Sequence, residues 1–130
     1  WLDFGGSTLS RLRKAWRNDE MDAILLLQPI ERAIGYSGHG DFSQDKTGRI
    51  QRRGNRGIAP YVFMGLQVLH PRLFDGEKVE AFSLNRLYDR ALAQNRLFGL
   101  IHDGAWYHVG TPDDLAIAET ALCIPKSEFL

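Results

Sequence analysis

The stretch DAILLLQP, residues 22–29, decides the fold class of this 130-residue chain. Its five consecutive apolar residues, 23–27, are followed by Gln28 and closed by Pro29. A short apolar run that ends at a proline is typical of a strand buried on both faces. Such strands lie in sheets that helices cover on both sides, so we expect an α/β protein.

Helical and extended patterns alternate around this run. A helix is predicted before it, with Ser7 or Thr8 as N-cap, because Leu9, Leu12 and Trp16 recur at helical spacing. After it, strands are predicted near residues 41–44 and 49–53, joined by a turn at 45–48. YVFMGLQVL, residues 61–69, reads as a further apolar strand.

The last third of the chain contains the clearest local signals. FSLNRLYDRALAQN, residues 82–95, predicts a helix with Ser83 as N-cap. Two strands are predicted on either side of Asp103 and Gly104. A final helix is expected to begin with Thr111 as N-cap and Asp114 as its capping-box partner. The tail after Pro125 is expected to fray.

Composition excludes several broad classes. Sixteen basic and sixteen acidic residues cancel, so no global field attracts nucleic acid or a membrane surface. No apolar run approaches the roughly 20 residues that span a bilayer, and no signal peptide is recognisable at Trp1. A single cysteine, Cys123, favours a reducing, cytoplasmic setting. Because the chain does not begin with Met, we expect that it begins inside something larger or was trimmed.

Metal-ligating and cationic residues suggest few self-contained sites. The four histidines, His39, His70, His102 and His108, lack the spacing of a metal pair, so no transition-metal site is expected. Four arginines crowd residues 49–56, namely Arg49, Arg52, Arg53 and Arg56. They form either a solvated hairpin face or a phosphate contact.

Three further positions are candidates for ligand contact. Asp41, in GHGDF, either caps its own turn or accepts hydrogen bonds from a ligand. Gly65, inside the strand at 61–69, marks either a bulge alone or a close approach by a ligand. His108 precedes a strand-to-helix turn, where open α/β sheets bind ligands, but a half-buried structural role is the alternative.

Several segments resemble the sugar-1-phosphate nucleotidyltransferases. WYHVGTPDDLAIAE, residues 106–119, is similar to the family's C-terminal Trp-x-Asp-x-Gly-Thr signature followed by a helix. APYVFMGLQVLHPRLF, residues 59–74, is similar to its strand with a pocket glycine, and GHGDFSQDKTGRIQRRG, residues 38–54, to its sugar-binding segment. The closest subgroup comprises the bacterial N-acetylmuramate-1-phosphate uridylyltransferases and mannose-1-phosphate guanylyltransferase-like proteins.

The resemblance implies a fold, a boundary and a missing part. It places residues 1–124 as the C-terminal, sugar-binding half of a Rossmann-like mixed-sheet nucleotidyltransferase (GT-A-like) domain, with residues 125–130 as a tail. The family's Gly-rich nucleotide loop and its first Mg²⁺-binding aspartate are absent from this sequence. The chain alone is therefore expected to be inactive, and to self-associate or pair with the missing N-terminal half.

The resemblance also assigns roles to single residues. Gly40 and Asp41 match the family's sugar-contacting Gly-Asp-Phe element, and Gly65 matches its pocket glycine. Arg53 falls near the family's Glu-Lys-Pro element, which this sequence lacks. His108 stands at the position of the second metal-binding aspartate, where it would bind Mg²⁺ or contact phosphate.

The implied reaction joins a nucleoside triphosphate to a sugar 1-phosphate and releases pyrophosphate, with Mg²⁺ as cofactor. Two other functions fit the residues. The chain could be a non-catalytic sugar-phosphate or protein-binding module, or a fragment that only completes a sheet.

Overall fold

The computed structural model describes residues 1–3 and 6–123, which form an α/β fold with a mixed sheet and three α-helices. The helices are α1 (Thr8–Ala15), α2 (Asn85–Ala93) and α3 (Pro112–Leu122). The strands are β1 (Ala23–Pro29), β2 (Ala33–Ile34), β3 (Phe42–Gln44), β4 (Ile50–Arg52), β5 (Tyr61–Leu69), β6 (Leu97–Ile101) and β7 (Trp106–Tyr107). Short 3₁₀ helices span Ile30–Arg32 and Pro71–Phe74.

Strand β1 lies inside a five-stranded sheet of order β4-β3-β5-β1-β6, and every one of its residues is buried. It runs antiparallel to β5 and parallel to β6. Successive side chains of a strand point to opposite faces. Leu25 accordingly packs with Tyr88 of α2 on one face, and Ile24 packs with Leu12 of α1 on the other. The prediction of a strand buried on both faces is confirmed.

Gly65 is part of an irregularity in β5. The pairing of β5 with β1 shifts between Leu25 and Leu27, so that extra residues of β5 lie opposite one residue of β1. Gly65 has φ +91°, a conformation that side chains rarely adopt. A bulge at Gly65 is therefore confirmed.

The starts of the three helices agree with the sequence-based expectations except for a shift of one residue in α2. Ser7 caps α1 and accepts a hydrogen bond from the Ser10 amide at 3.4 Å. Helix α2 begins at Asn85, one residue later than a Ser83 cap implies, although the Ser83 hydroxyl still accepts the Asn85 amide hydrogen at 3.3 Å. The predicted capping box of Thr111 is present at the start of α3.

Strand β7 does not join the main sheet. It pairs in parallel with β2, and the two form a separate two-stranded sheet beyond the carboxyl end of β1. The expected tail at 125–130 lies outside the described residues. Among those described, no helix has the length and apolar character that crossing a membrane requires.

Candidate functional site

The candidate site lies at the carboxyl end of β1, where the chain leaves the main sheet and returns. The small β2–β7 sheet follows this end, and residues 35–41 connect β2 to β3. Tyr61 at the start of β5 pairs with Pro29 at the end of β1 and with Phe42 of β3. The edge therefore brings together two of the predicted regions, the segment around Asp41 and the strand that leads to His108.

Gly40, Asp41 and Arg53, to which the resemblance assigns ligand contact, lie together. They line a cavity of about 180 Å³ with Arg52 and Gly54. A side chain at position 40 would bring its Cβ within 2.2 Å of the Ala59 carbonyl oxygen, and φ there is +79°. Only glycine fits this position, because the backbone approaches its neighbour so closely.

The Asp41 carboxylate is exposed, yet the backbone around it is held firmly. Its Oδ2 atom accepts the Phe63 amide hydrogen at 2.9 Å, and its own amide donates to the Tyr61 carbonyl at 2.7 Å. Both partners belong to β5. The carboxylate therefore does not cap its own turn, which was the alternative to a ligand role, and it is fixed against the main sheet.

The four arginines of residues 49–56 do not converge on one anion site. Arg52 forms an ion pair with Asp89 at 2.7 Å, and Arg49 donates to the Asn95 carbonyl at 2.9 Å. Arg53 donates to the Gly40 carbonyl at 3.2 Å. Arg52 and Arg53 line the cavity beside Asp41, and of these Arg52 is paired with Asp89. Arg49 and Arg56 bind neighbouring parts of the hairpin and of the turn after α2.

His108 lies in a group of aromatic rings with Tyr36 and Trp106. Its ring meets Tyr36 edge to face with a centroid distance of 5.8 Å, and its centroid is 5.7 Å from that of Trp106. The Tyr36 hydroxyl accepts the Gly40 amide hydrogen at 3.1 Å. His108 is half-buried rather than enclosed. Tyr36 thus connects the part of the site with Asp41 to the part with His108.

The start of α3 beside His108 is occupied by a carboxylate of the chain itself. Asp114 Oδ2 accepts the amide hydrogens of Gly110 and Thr111, both at 3.1 Å. These hydrogen bonds, that of Gly110 first, hold the pKa of Asp114 below its usual value of 3.8, and the charge of His108 contributes to the shift. Because these amides are already used, they do not offer a phosphate site at this helix start.

The residues at this edge fit Mg²⁺ poorly on their own. Mg²⁺ prefers oxygen ligands in octahedral geometry. The described residues contain no group of three or more His, Cys, Asp or Glu residues that could hold a metal ion. His108 offers nitrogen, and Asp114 already accepts two amide hydrogens. These residues therefore do not form a magnesium site by themselves.

Gly65 does not line the Asp41 cavity. It lies within β5, several residues from Tyr61, and a Cβ atom there would meet no atom within 4 Å. The space beside it is open, so the close approach of a ligand stays a prediction.

Tyr36 is the site residue that the sequence did not single out. It lies in AIGYSGHGDF, among three glycines, and a ring surrounded by such small residues indicates close packing of backbone against it. A Cβ atom on Gly38 would come within 2.3 Å of the Tyr36 hydroxyl oxygen, which shows how tightly the loop closes. The three glycines around Tyr36 are therefore the feature of the sequence from which its packed position could have been predicted.

Comparison with known proteins supports the resemblance described above. The chain is 29% identical over 122 residues to the N-acetylmuramate alpha-1-phosphate uridylyltransferase of Caulobacter vibrioides. The match covers 94% of the chain and 50% of the relative, within the relative's C-terminal half. No protein-family model matches the chain. The chain spans about half the length of this curated relative, and over nearly all of its own length it is similar to the C-terminal half of a sugar-1-phosphate nucleotidyltransferase.

Proposed function

We propose that this chain is the sugar-phosphate-binding part of a nucleotidyltransferase of GT-A-like fold. The observation that carries the proposal is the Asp41 carboxylate, which is exposed but anchored to β5, beside Arg53 in a small open cavity. A carboxylate accepts hydrogen bonds from sugar hydroxyls, and an arginine beside it offers donors to a phosphate. The relative's name adds the substrate class, a sugar 1-phosphate.

The proposed reaction is a direct displacement. An oxygen of the sugar 1-phosphate attacks the α-phosphorus of a nucleoside triphosphate, for which UTP is the first choice by the relative's name. The new P–O bond forms as the bond to the β-phosphate oxygen breaks, and pyrophosphate leaves. No covalent intermediate on the protein is needed, because positioning and neutralisation of charge account for such catalysis.

Each site residue has a proposed role in this reaction. Asp41 orients the sugar, and Arg53 attracts its phosphate. His108 lies at the edge of the reacting phosphates. Mg²⁺ is the proposed cofactor of the whole enzyme, with oxygen ligands supplied from outside the described residues, and a cytoplasmic location is proposed from the low cysteine content.

Substitution of Asp41 in the product of the complete gene tests the proposal. Asp41→Ala is expected to weaken use of the sugar 1-phosphate by about 1.5–3 kcal/mol, the range for a lost hydrogen bond to a charged group. Asp41→Asn keeps an oxygen that can accept the Phe63 amide hydrogen but loses the charge. A defect in this variant would therefore come from the contact with the ligand and not from lost anchoring to β5. Pyrophosphate release is measured with UTP and a panel that includes N-acetylmuramate 1-phosphate.

Asp19→Ala is the matched control, since Asp19 is exposed at the opposite end of β1. Equal kinetics for Asp41→Ala, Asp19→Ala and the parent with every sugar would reject a sugar role for Asp41. Binding of a sugar 1-phosphate without pyrophosphate release would identify a binding module instead of an enzyme.

A further inference from the structure

Residues 35–41, here called the Tyr36 loop, fold around one side chain. The Tyr36 hydroxyl accepts the Gly40 amide hydrogen, and Gly38 packs so closely that a Cβ atom would lie 2.3 Å from the same oxygen. Gly40 itself is buried, and the next residue is Asp41. The hydroxyl therefore sets the position of the backbone from which the Asp41 side chain projects.

The ring of the same tyrosine contacts the other part of the site. Its centroid lies 5.8 Å from that of His108 at an interplanar angle of 86°, and 6.3 Å from that of Trp106. Edge-to-face arrangements at such distances are favourable for aromatic pairs. The His108 amide also donates to the Ile34 carbonyl at 2.8 Å, which ties this strand to β2 just before the Tyr36 loop.

We propose, resting on the function proposed above, that Tyr36 is a positioning residue that sets the distance between Asp41 and His108. Its hydroxyl fixes the Asp41 segment, and its ring fixes the His108 side chain. A sugar 1-phosphate has its hydroxyls and its phosphate at fixed separation. A single rigid side chain between the two contact points would therefore select ligands in which that separation matches.

The role of the hydroxyl can be removed while the ring is kept. Tyr36→Phe deletes only the hydroxyl and keeps the ring, whereas Tyr36→Ala deletes both. Tyr107→Phe is the matched control. Tyr107 lies between Trp106 and His108 in the sequence, and successive side chains of an extended segment point to opposite faces. Its hydroxyl has no hydrogen-bond partner among the described residues.

The first measurement needs no ligand. Amide hydrogen exchange at Gly40 in the 130-residue chain is expected to be about three- to tenfold faster in Tyr36→Phe than in Tyr107→Phe, which corresponds to one lost hydrogen bond. The ring resonances of His108 should stay in place in Tyr36→Phe and shift in Tyr36→Ala. Equal Gly40 exchange in both Phe variants would overturn the proposed anchoring.

The second measurement uses the product of the complete gene with UTP and N-acetylmuramate 1-phosphate. In Tyr36→Phe, KM for the sugar phosphate is expected to rise about three- to tenfold, while KM for UTP stays the same. Faster Gly40 exchange with an unchanged KM would show a purely structural hydroxyl and overturn the positioning role. If the parent uses no sugar 1-phosphate, the proposed function and the positioning role both fail, and the exchange data still decide whether Tyr36 anchors Gly40.

Discussion

The Nε2 atom of His102 lies 3.2 Å from the carbonyl oxygen of Leu2, one hundred residues earlier in the chain. It is also 3.3 Å from the Ala105 carbonyl oxygen. Leu2 and Ala105 exchange both backbone hydrogen bonds across an isolated antiparallel bridge, at 2.8 and 3.1 Å. Both carbonyl oxygens are acceptors, so Nε2 must carry the hydrogen. The fully buried imidazole therefore donates to the two residues that form the bridge.

His102→Leu is expected to lower the free energy of unfolding by about 1–3 kcal/mol, the cost of buried polar groups left without a partner. The substitution also removes a contact with the Thr8 hydroxyl, which lies 3.4 Å from Nδ1. His39→Leu is the control, because His39 is exposed and should change stability by less than about 0.5 kcal/mol. Urea unfolding measures both, and equal midpoints for the two variants would contradict a structural role for His102.

The second prediction concerns Asp22, a buried carboxylate that directly precedes β1. Asp22 is 6% exposed and forms ion pairs with Arg96, at 2.7 Å, and with Arg72. Burial by itself raises the pKa of Asp22, but hydrogen bonds from Arg96 and Arg72 outweigh it and hold the pKa below 3.8. The two arginines also donate to carbonyls of the turn before β1, so the cluster joins three segments.

Asp22→Asn is expected to cost about 2–4 kcal/mol at pH 7, somewhat less than a fully buried broken pair because both arginines are partly exposed. The sign of the pH dependence follows from the lowered pKa. The contribution is fully present above the unfolded pKa of about 3.9 and is lost as pH falls through the folded value. In urea unfolding, the free energy of unfolding of the parent should be well above that of Asp22→Asn at pH 7 and should approach it below pH 4. An equal difference between the two proteins at both pH values would contradict the prediction.

The elements that the sequence predicted best are those with strong local patterns. Strand β5 spans Tyr61–Leu69 as expected, β1 is buried throughout, and the capping box of α3 is present. The pairing of β7 with β2 was not predictable, because two-residue strands carry almost no periodic signal. Likewise, Tyr36 contacts both Gly40 and His108 only through tertiary packing.

The third prediction concerns His108, which shares its surroundings with a carboxylate. A Cβ atom at Gly110 would lie 3.3 Å from His108 Nε2 and 3.7 Å from Asp114 Oδ2, so both side chains face the same small volume. His108→Asp would place a second carboxylate there. Without a cation, this variant should be less stable than the parent because like charges repel.

Addition of Mg²⁺ should restore much of that loss, since the variant supplies a hard oxygen ligand. In the product of the complete gene, His108→Asp is expected to preserve or raise Mg²⁺-dependent pyrophosphate release, and His108→Ala to lower it. Thermal unfolding with and without Mg²⁺, together with the rate of release, measures both effects. A series in which Asp abolishes activity and Ala is harmless would show that His108 serves only in packing.

Two apolar surfaces underlie the last prediction. A groove of about 310 Å³ runs between α1 and β5, lined by Leu9, Trp16 and Leu66 among others. Helix α3 exposes about half of each of its larger apolar side chains, Leu115, Ile117 and Leu122. The outer edge of β6 is partly covered, because Gly48 and Arg49 pair with residues 98–99.

We expect the 130-residue chain to self-associate through these apolar surfaces at micromolar concentration, because exposed apolar patches of this kind mark interfaces or aggregation sites. Leu9→Glu and Ile117→Glu should each shift the chain toward the monomer, since a charge in an apolar contact must lose its water. Val79→Glu is the matched control, because Val79 is fully exposed in the segment after Pro71–Phe74 and lines neither the groove nor the α3 surface. Light scattering during size-exclusion chromatography gives the mass of each variant. A monodisperse parent monomer with a cooperative thermal transition would show that the described core is complete by itself and that both surfaces are stable in water.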